Sequence, residues 1–473
     1  MLNLAALALL SLANLVLASS IAQRSVSGTA VVSFNERKGT PQNLASGILY
    51  GIPHNGSQIP SEYFTGINFK YQRAGGTHVD GGGWLGSLEG YKSRIDSTLA
   101  NYQTTLHYGG KFILLVTDIW GRDGSQEDNS YNPGNNGNWT DYDNFLTQLI
   151  SDIKTYGMTE NLIIDLWNEP DLSWSWTAGV NQYLELWGRS YYRFKAEFPD
   201  VPISGPSYAT APSTSSSWWT EWVSFIAGNG SVPEQYTWHM ESGGGDMQSS
   251  VAAYKELLSE NGLATDAEIN INEYAVASEQ VPSASAWWIS QLERVDAWGL
   301  RGIWQPAYNV MDLMAWLISK PGAGSESTYD ATATDYYPVG DWHVYNYYAQ
   351  NMTGTRVATS PTSDLLGEVY AVVGTDKVRL LVGTRLATGT FYLELNDLEA
   401  VGLASEGSLT IRTIGFPGSS DHYAYVDSPK DLGTSTHAYW SGSLTVGIYP
   451  QDTLTAYALE FDIPASTSRY RKL

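Results

Sequence analysis

Cysteine is absent from all 473 residues, which excludes disulfides, thiolate-held metals and a cysteine nucleophile. The fold has to stand on its apolar core. Positive charge is scarce too: 26 Lys and Arg face 49 Asp and Glu, for a formal net charge of −23. That balance works against nucleic acid and an anionic membrane as partners, since both need a basic footprint, and points to a neutral substrate. Charged residues of both signs make up only 16% of the chain, too few for a disordered tail or a salt-bridged helical rod. The histidines contain no i, i+4 pair, and the stretch Asp80-Gly81-Gly82-Gly83-Trp84 lacks the Lys-Ser/Thr of a phosphate loop. We therefore expect no metal and no cofactor.

Long apolar runs are missing as well, except at the start. Residues 1–18 carry no charge, and their length suits the apolar region of a signal peptide better than a membrane span with flanking Lys or Arg. We expect a cleaved signal over residues 1–22, with Ala18 or Ala22 at the cut, and hence a secreted, extracellular protein without a membrane partner. Sequons at Asn55, Asn138, Asn229 and Asn351 fit N-glycosylation of surface loops.

Aromatic rings, by contrast, are plentiful at 13%. Between residues 45 and 350 short apolar runs alternate with stretches of helical period, the pattern of βα units. Strands are expected at 47–51, 69–73, 112–117, 161–167, 203–206, 236–240, 268–274 and 302–306, and eight is the barrel number. Thr140 to Gly157, Tyr183 to Phe198 and Val251 to Gly262 carry helical spacing between them. Past residue 350 the runs become short and alternating, near 367–374, 378–383, 390–395, 408–414, 444–449 and 453–461, with turn residues between them. The expected architecture is α/β: a (β/α)8 barrel over 45–350 with an appended C-terminal β-sandwich over 351–465. The segment 23–44, with a strand at 29–34, should pair with the sandwich.

In such a barrel, chemistry sits at the C-terminal ends of the strands. The fourth run closes with Trp167-Asn168-Glu169-Pro170-Asp171 and the seventh with Asn272-Glu273-Tyr274. Two carboxyls at these ends can face each other across the barrel mouth, as retaining glycoside cleavage requires, with a gap of about 5.5 Å. Asn168 could bond a substrate 2-hydroxyl, leaving Glu169 as acid/base with a raised pKa. Glu273 would be the nucleophile, kept ionised by a donor such as Arg73, with Tyr274 and Trp304 holding it and the sugar. Glu241, Glu234 and Glu279 compete for the second carboxyl role. Arg73 could instead pair with Asp80 or Asp118, and His239 could be a core histidine. His78 and Asp118 are candidate sugar hydrogen-bonders, and Trp84, Trp120, Trp174 and Trp176 candidate stacking platforms.

The tetrad Asn168-Glu169-Pro170-Asp171 after an apolar strand resembles the clan A glycoside hydrolases, and Asp165-Leu-Trp-Asn-Glu-Pro-Asp171 resembles glycoside hydrolase family 39. The resemblance implies a barrel with an attached sandwich and retaining cleavage by glutamates at the ends of strands four and seven. Arg73, His239 and Trp304 match positions where the clan carries an Arg, a His or Tyr, and a Trp near the sugar. The expected function is retaining cleavage of neutral plant-type glycosides, xylosidase-like or on arabinose-containing side chains of oligo- or polysaccharides. Two alternatives stay open: an inactive carbohydrate-binding or wall-associated protein, and an endo-acting glucanase or transglycosylase. The intact Glu pair tells against the first, because facing buried carboxyls are costly without a use.

Overall fold

The computed structural model describes residues 24–127, 130–241 and 245–464. The expected signal segment lies outside them, and no helix among the described residues is long and apolar enough to cross a membrane. Strands β1 (Arg24–Val26) and β2 (Thr29–Arg37) precede the barrel strands β3 (Gly47–Leu49), β4 (Tyr71–Ala74), β5 (Lys111–Leu115), β6 (Leu162–Asp165), β7 (Ile203–Tyr208), β8 (Gln235–Met240), β9 (Glu268–Tyr274) and β10 (Trp298–Arg301). The eight pair in parallel in chain order, and β10 closes onto β3. They are buried along nearly their whole length, so β3, β5 and β6 read as mainly apolar runs.

Inside the barrel the side chains stack in layers. Tyr71, Ile113, Ile163 and Leu300 fill the lower layer, with the Trp298 ring 5.0 Å from Tyr71. Two residues on from Tyr71 and Ile163, and therefore on the same face, the layer turns polar with Arg73 and Asp165. In the β8–β9 ladder Trp238 lies opposite Ile271 but His239 lies opposite Glu273, so Asn272 is one residue too many. This bulge re-aims the strand end. Asn272 and Glu273 both reach the interior, whereas Tyr274 turns outward to meet the Ala45 carbonyl and the Tyr345 hydroxyl.

After the short pair β11 (Ile318–Ser319) and β12 (Tyr337–Pro338) come β13 (Thr355–Ser360), β14 (Gly367–Val373), β15 (Lys377–Thr384), β16 (Ala387–Gly389), β17 (Phe391–Asn396), β18 (Gly407–Phe416), β19 (Lys430–Tyr439), β20 (Leu444–Ile448) and β21 (Ala456–Asp462). Nine strands run in the order β19-β18-β21-β15-β14-β13-β2-β17-β20. β13 pairs at its start with β14 and further along with β2, so the ladder folds over at this strand. Its two halves enclose a second core that includes Phe34, Leu380, Leu393 and Phe461, the arrangement of a sandwich. The 29–34 segment is therefore part of this module, between β13 and β17. The helix Pro282–Arg294 joins barrel to sandwich and is buried almost throughout; its Trp287 indole donates to Leu365 O at 2.9 Å.

One expectation needs correction. The eighth strand is Trp298–Arg301 rather than 302–306. Gly299 fits there because a side chain would collide with Leu292 and Tyr274, and Trp304 lies past the strand end. β19 had no alternating signature because nearly all its residues are exposed.

Candidate active site

Arg73 is the hub of the polar layer. Fully buried at the end of β4, it donates from Nε to Asp165 Oδ2 at 2.9 Å, from Nη1 to Glu273 Oε1 at 2.6 Å and from Nη2 to Asn168 Oδ1 at 2.6 Å. One planar guanidinium thus fixes strands four and seven relative to each other, a fork that lysine cannot reproduce. Asp165 Oδ2 also accepts from Ser207 Oγ at 2.7 Å and Asn272 Nδ2 at 3.1 Å. These bonds tie the layer together around Arg73 and Asp165 Oδ2.

Glu169 stands one residue beyond Asn168 with φ of 46°, a region that non-glycine residues seldom occupy and that clusters at functional positions. Backbone bonds hold it there: Glu169 N–H donates to Ser207 O at 2.9 Å, and Leu172 N–H donates to Glu169 O at 3.0 Å. The turn lifts the carboxyl toward His239 Nδ1, 2.9 Å from Oε1, and the Trp174 indole N–H donates to Oε2 at 3.1 Å. On the other edge of the same imidazole, Nε2 lies 3.6 Å from Glu273 Oε1. A single ring separates the two carboxyls.

Their surroundings differ. Burial pushes the Glu169 carboxyl up to about 7, against the opposing effects of Arg73 and the Trp174 N–H. Burial also lowers the His239 pKa, so the ring between the carboxyls is neutral at neutral pH. Glu273 has the guanidinium in direct contact. A third carboxyl, Glu241, follows β8 two residues after His239, and burial pushes its pKa well up, with Glu273 and Glu169 adding to the effect. Glu169, His239 and Glu241 bring one oxygen or nitrogen each within 4.8 Å of one another. Within this cluster Glu169 and His239 are hydrogen-bonded at 2.9 Å.

The strand ends open into a cleft of about 560 Å³ lined by Asn168, Glu169, Trp174, Glu241, Glu273 and Trp304, among others. Its far wall carries Asp118, whose carboxyl takes the Tyr50 hydroxyl proton in a hydrogen bond and is raised by burial to about 7. Beside it Asp123, bound to Arg94 at 2.8 Å, is held below the usual carboxylate range despite its burial. No Lys or Arg lines the cleft among the described residues.

No protein-family model matches the chain, and no curated protein matches it. Solved structures do. The protein N2152 from Neocallimastix frontalis is similar with a TM-score of 0.72 at 20% identity, over 93% of this chain and 100% of that one. A glycoside hydrolase family 39 enzyme from Xanthomonas axonopodis pv. citri gives 0.54 at 13% identity, over 95% and 100%. A monomeric β-xylosidase from Caulobacter crescentus gives 0.53 at 14% identity, over 92% and 100%. The likeness is one of fold: a closed eight-stranded parallel barrel with a β-rich module.

Most of the expected site residues meet in this cleft. Asn168, Glu169, Glu273, Arg73 and His239 form one bonded cluster. Trp174 and Trp304 are 40% and 38% exposed at its mouth, with the Trp304 indole N–H tied to Ala275 O at 2.9 Å. His78 and Asp118 line the opposite wall. Arg73 pairs with Asp165 and Glu273 rather than with Asp80 or Asp118.

Four candidates stand elsewhere. Tyr274 is fully buried outside the barrel wall, because the bulge at Asn272 shifts the alternation by one. Trp120 is fully buried and packs edge-on against Tyr142 and Phe145; Trp176 is likewise buried, and Trp84 is tied to Asp141. Neither Tyr274 nor Trp120 can touch a substrate. Asp165, a charge within an apolar strand, also belongs to the site, and Glu241 stands beside Glu273 rather than in its place. Its spacing from His239 was the available signal, since residues two apart in a strand share a face.

Proposed function

We propose that the chain is a retaining glycoside hydrolase of the family 39 type, acting on neutral plant-type glycosides, with Glu169 as acid/base and Glu273 as nucleophile. The observation that carries this is the Glu169–His239–Glu273 arrangement: two carboxyls flank one neutral imidazole, one desolvated and able to hold a proton, the other bound to a guanidinium. Glu273 attacks the anomeric carbon while Glu169 protonates the departing oxygen. Glu169 then takes a proton from water, which attacks the anomeric carbon and releases Glu273. Asn168, held at Oδ1 by Arg73, keeps its amide N–H groups for the sugar 2-hydroxyl, a bond that strengthens in the oxocarbenium-like transition state. Trp174 and Trp304 offer ring faces for stacking.

A neutral substrate suits a cleft whose walls carry carboxyls and no free cation. Secretion belongs to the same reading: all four sequon asparagines are exposed, and the cysteine-free chain needs no disulfide to fold outside the cell. The test is kinetic. Nitrophenyl glycosides of xylose, arabinose, glucose and galactose identify the sugar. Glu273→Gln should then abolish turnover, and Glu169→Ala should spare the first step with a nitrophenolate leaving group, because that group departs without protonation. Normal turnover by Glu273→Gln would sink the assignment.

A further inference from the structure

Glu241 is a carboxyl at the reacting position that the double-displacement scheme leaves without a role. The alternation that turns Gln235, Thr237 and His239 into the barrel continues past the end of β8 and brings Glu241 in as well. Glu241 and Glu273 line the same cleft, Glu241 lies within 4.8 Å of the His239 ring that also faces Glu273, and the Glu273 carboxyl acts on that of Glu241 through charge and hydrogen bonding. Two carboxylates in such contact cannot both ionise, so one proton must lie between them.

The contacts decide which residue owns it. Glu273 Oε1 receives Arg73 Nη1 at 2.6 Å, and that bond favours its anion. Glu241 forms no ion pair among the described residues, and its Oε1 is sealed from solvent without a donor. That oxygen rests on the backbone at Gly302, where even a Cβ atom would lie only 1.9 Å away. A buried, undonated oxygen is tolerable as the carbonyl of a neutral acid and very costly as an anion. The charged or titratable groups that act on it are Glu273, Glu169 and Arg73, with His239 alongside, and the one cation among them is committed to Glu273 and Asp165.

We propose that Glu241 is a positioning residue for the nucleophile, a neutral carboxylic acid that donates a hydrogen bond to Glu273. This rests on the reading of Glu273 as nucleophile. When Glu273 becomes a glycosyl ester its negative charge disappears and the bond from Glu241 weakens. When water breaks the ester the charge returns and the bond strengthens. The proton stays on Glu241 throughout, so Glu241 assists the second step most.

Two measurements test this. The infrared difference spectrum between wild type and Glu241→Gln, without substrate at about pH 8, should show a protonated-carboxyl C=O band that the variant lacks; at that pH groups titrating near 7 are largely ionised. With a nitrophenyl glycoside, Glu241→Ala should lose roughly 10²-fold in kcat, the scale of one lost donor at a charged reacting group. KM should fall in parallel and a nitrophenolate burst should appear, because the glycosyl-enzyme accumulates. Glu241→Gln, whose amide N–H still donates, should recover most of the rate. Absence of the infrared band overturns the proposal. So does a Glu241→Ala variant that loses kcat at constant KM without a burst. If wild type cleaves no glycoside, the functional reading fails while the infrared result still judges the proton. If the alanine variant does not fold, the near-isosteric glutamine comparison decides.

Discussion

Replacing Glu169 by glutamine should make the folded chain more stable above pH 7 and leave it nearly unchanged below pH 4.5, the two values between which its carboxyl is shifted by burial. In that window the folded chain keeps a proton that the unfolded chain has released. Unfolding therefore loses protons, and stability falls as pH rises from the unfolded to the folded pKa. At about 1.36 kcal/mol per pH unit the accumulated penalty is ~3 kcal/mol once both states are ionised. Glutamine has almost the same shape, still accepts from the Trp174 indole, still meets His239 Nδ1, and cannot ionise. Its urea midpoint, followed by tryptophan fluorescence, should exceed that of wild type at about pH 8 and converge with it at about pH 4. Asp118, also raised to about 7, tilts the wild-type curve in the same sense but is present in both proteins, so the difference curve reports on Glu169. A difference that stays flat across the range would refute the claim that burial holds this carboxyl neutral.

Arg73→Met should be severe, because it leaves Asp165 and Glu273 as buried carboxyls without their cation; we expect a loss of ~3–5 kcal/mol in urea unfolding together with loss of turnover, and a variant of near wild-type stability would show that the two carboxyls do not depend on the guanidinium. Tyr274→Phe removes a hydroxyl bonded to Ala45 O and Tyr345 outside the barrel. It should cost about 1 kcal/mol in urea unfolding and leave KM unchanged, whereas a raised KM would put Tyr274 in the cleft.

How far the site was legible in the sequence depended on strand alternation. Arg73, Asn168, Glu169 and His239 could be assigned because each closes an apolar run and regular alternation or a following turn aims it into the barrel mouth. Tyr274 could not, since one extra residue at Asn272 inverts the faces after it, and a bulge in a parallel pair leaves no compositional trace. Trp120 looked like a loop residue, but residues Val116–Trp120 form a short helix that carries the ring back under the loop. Strands β5 and β6 are legible because both of their faces are mainly apolar, and β8 and β9 because polar and apolar residues alternate along them. β19 stayed hidden because its exposed, polar residues need no alternation, and β10 was misplaced because Trp298 fits a helical stripe and a strand start equally well.

The overall charge of −23 says little about the cleft, where local protonation decides. Around the reacting position stand Asp165, Glu169, Glu241 and Glu273, with Arg73 as the cation that binds Asp165 and Glu273 and a neutral His239 between Glu169 and Glu273. Were all four carboxyls ionised, three negative charges would be left over in a desolvated space. With protons on Glu169 and Glu241 the cluster carries a single net negative charge. A neutral sugar gains little from that charge on binding, but the positive charge that develops at the anomeric carbon gains much, so the stabilisation falls on the transition state. A uronic acid would meet the same net charge as repulsion already on entry. The proposed preference for neutral glycosides would thus follow from where two protons sit, and the stability curve of Glu169→Gln and the infrared band of Glu241 measure those two protons one at a time.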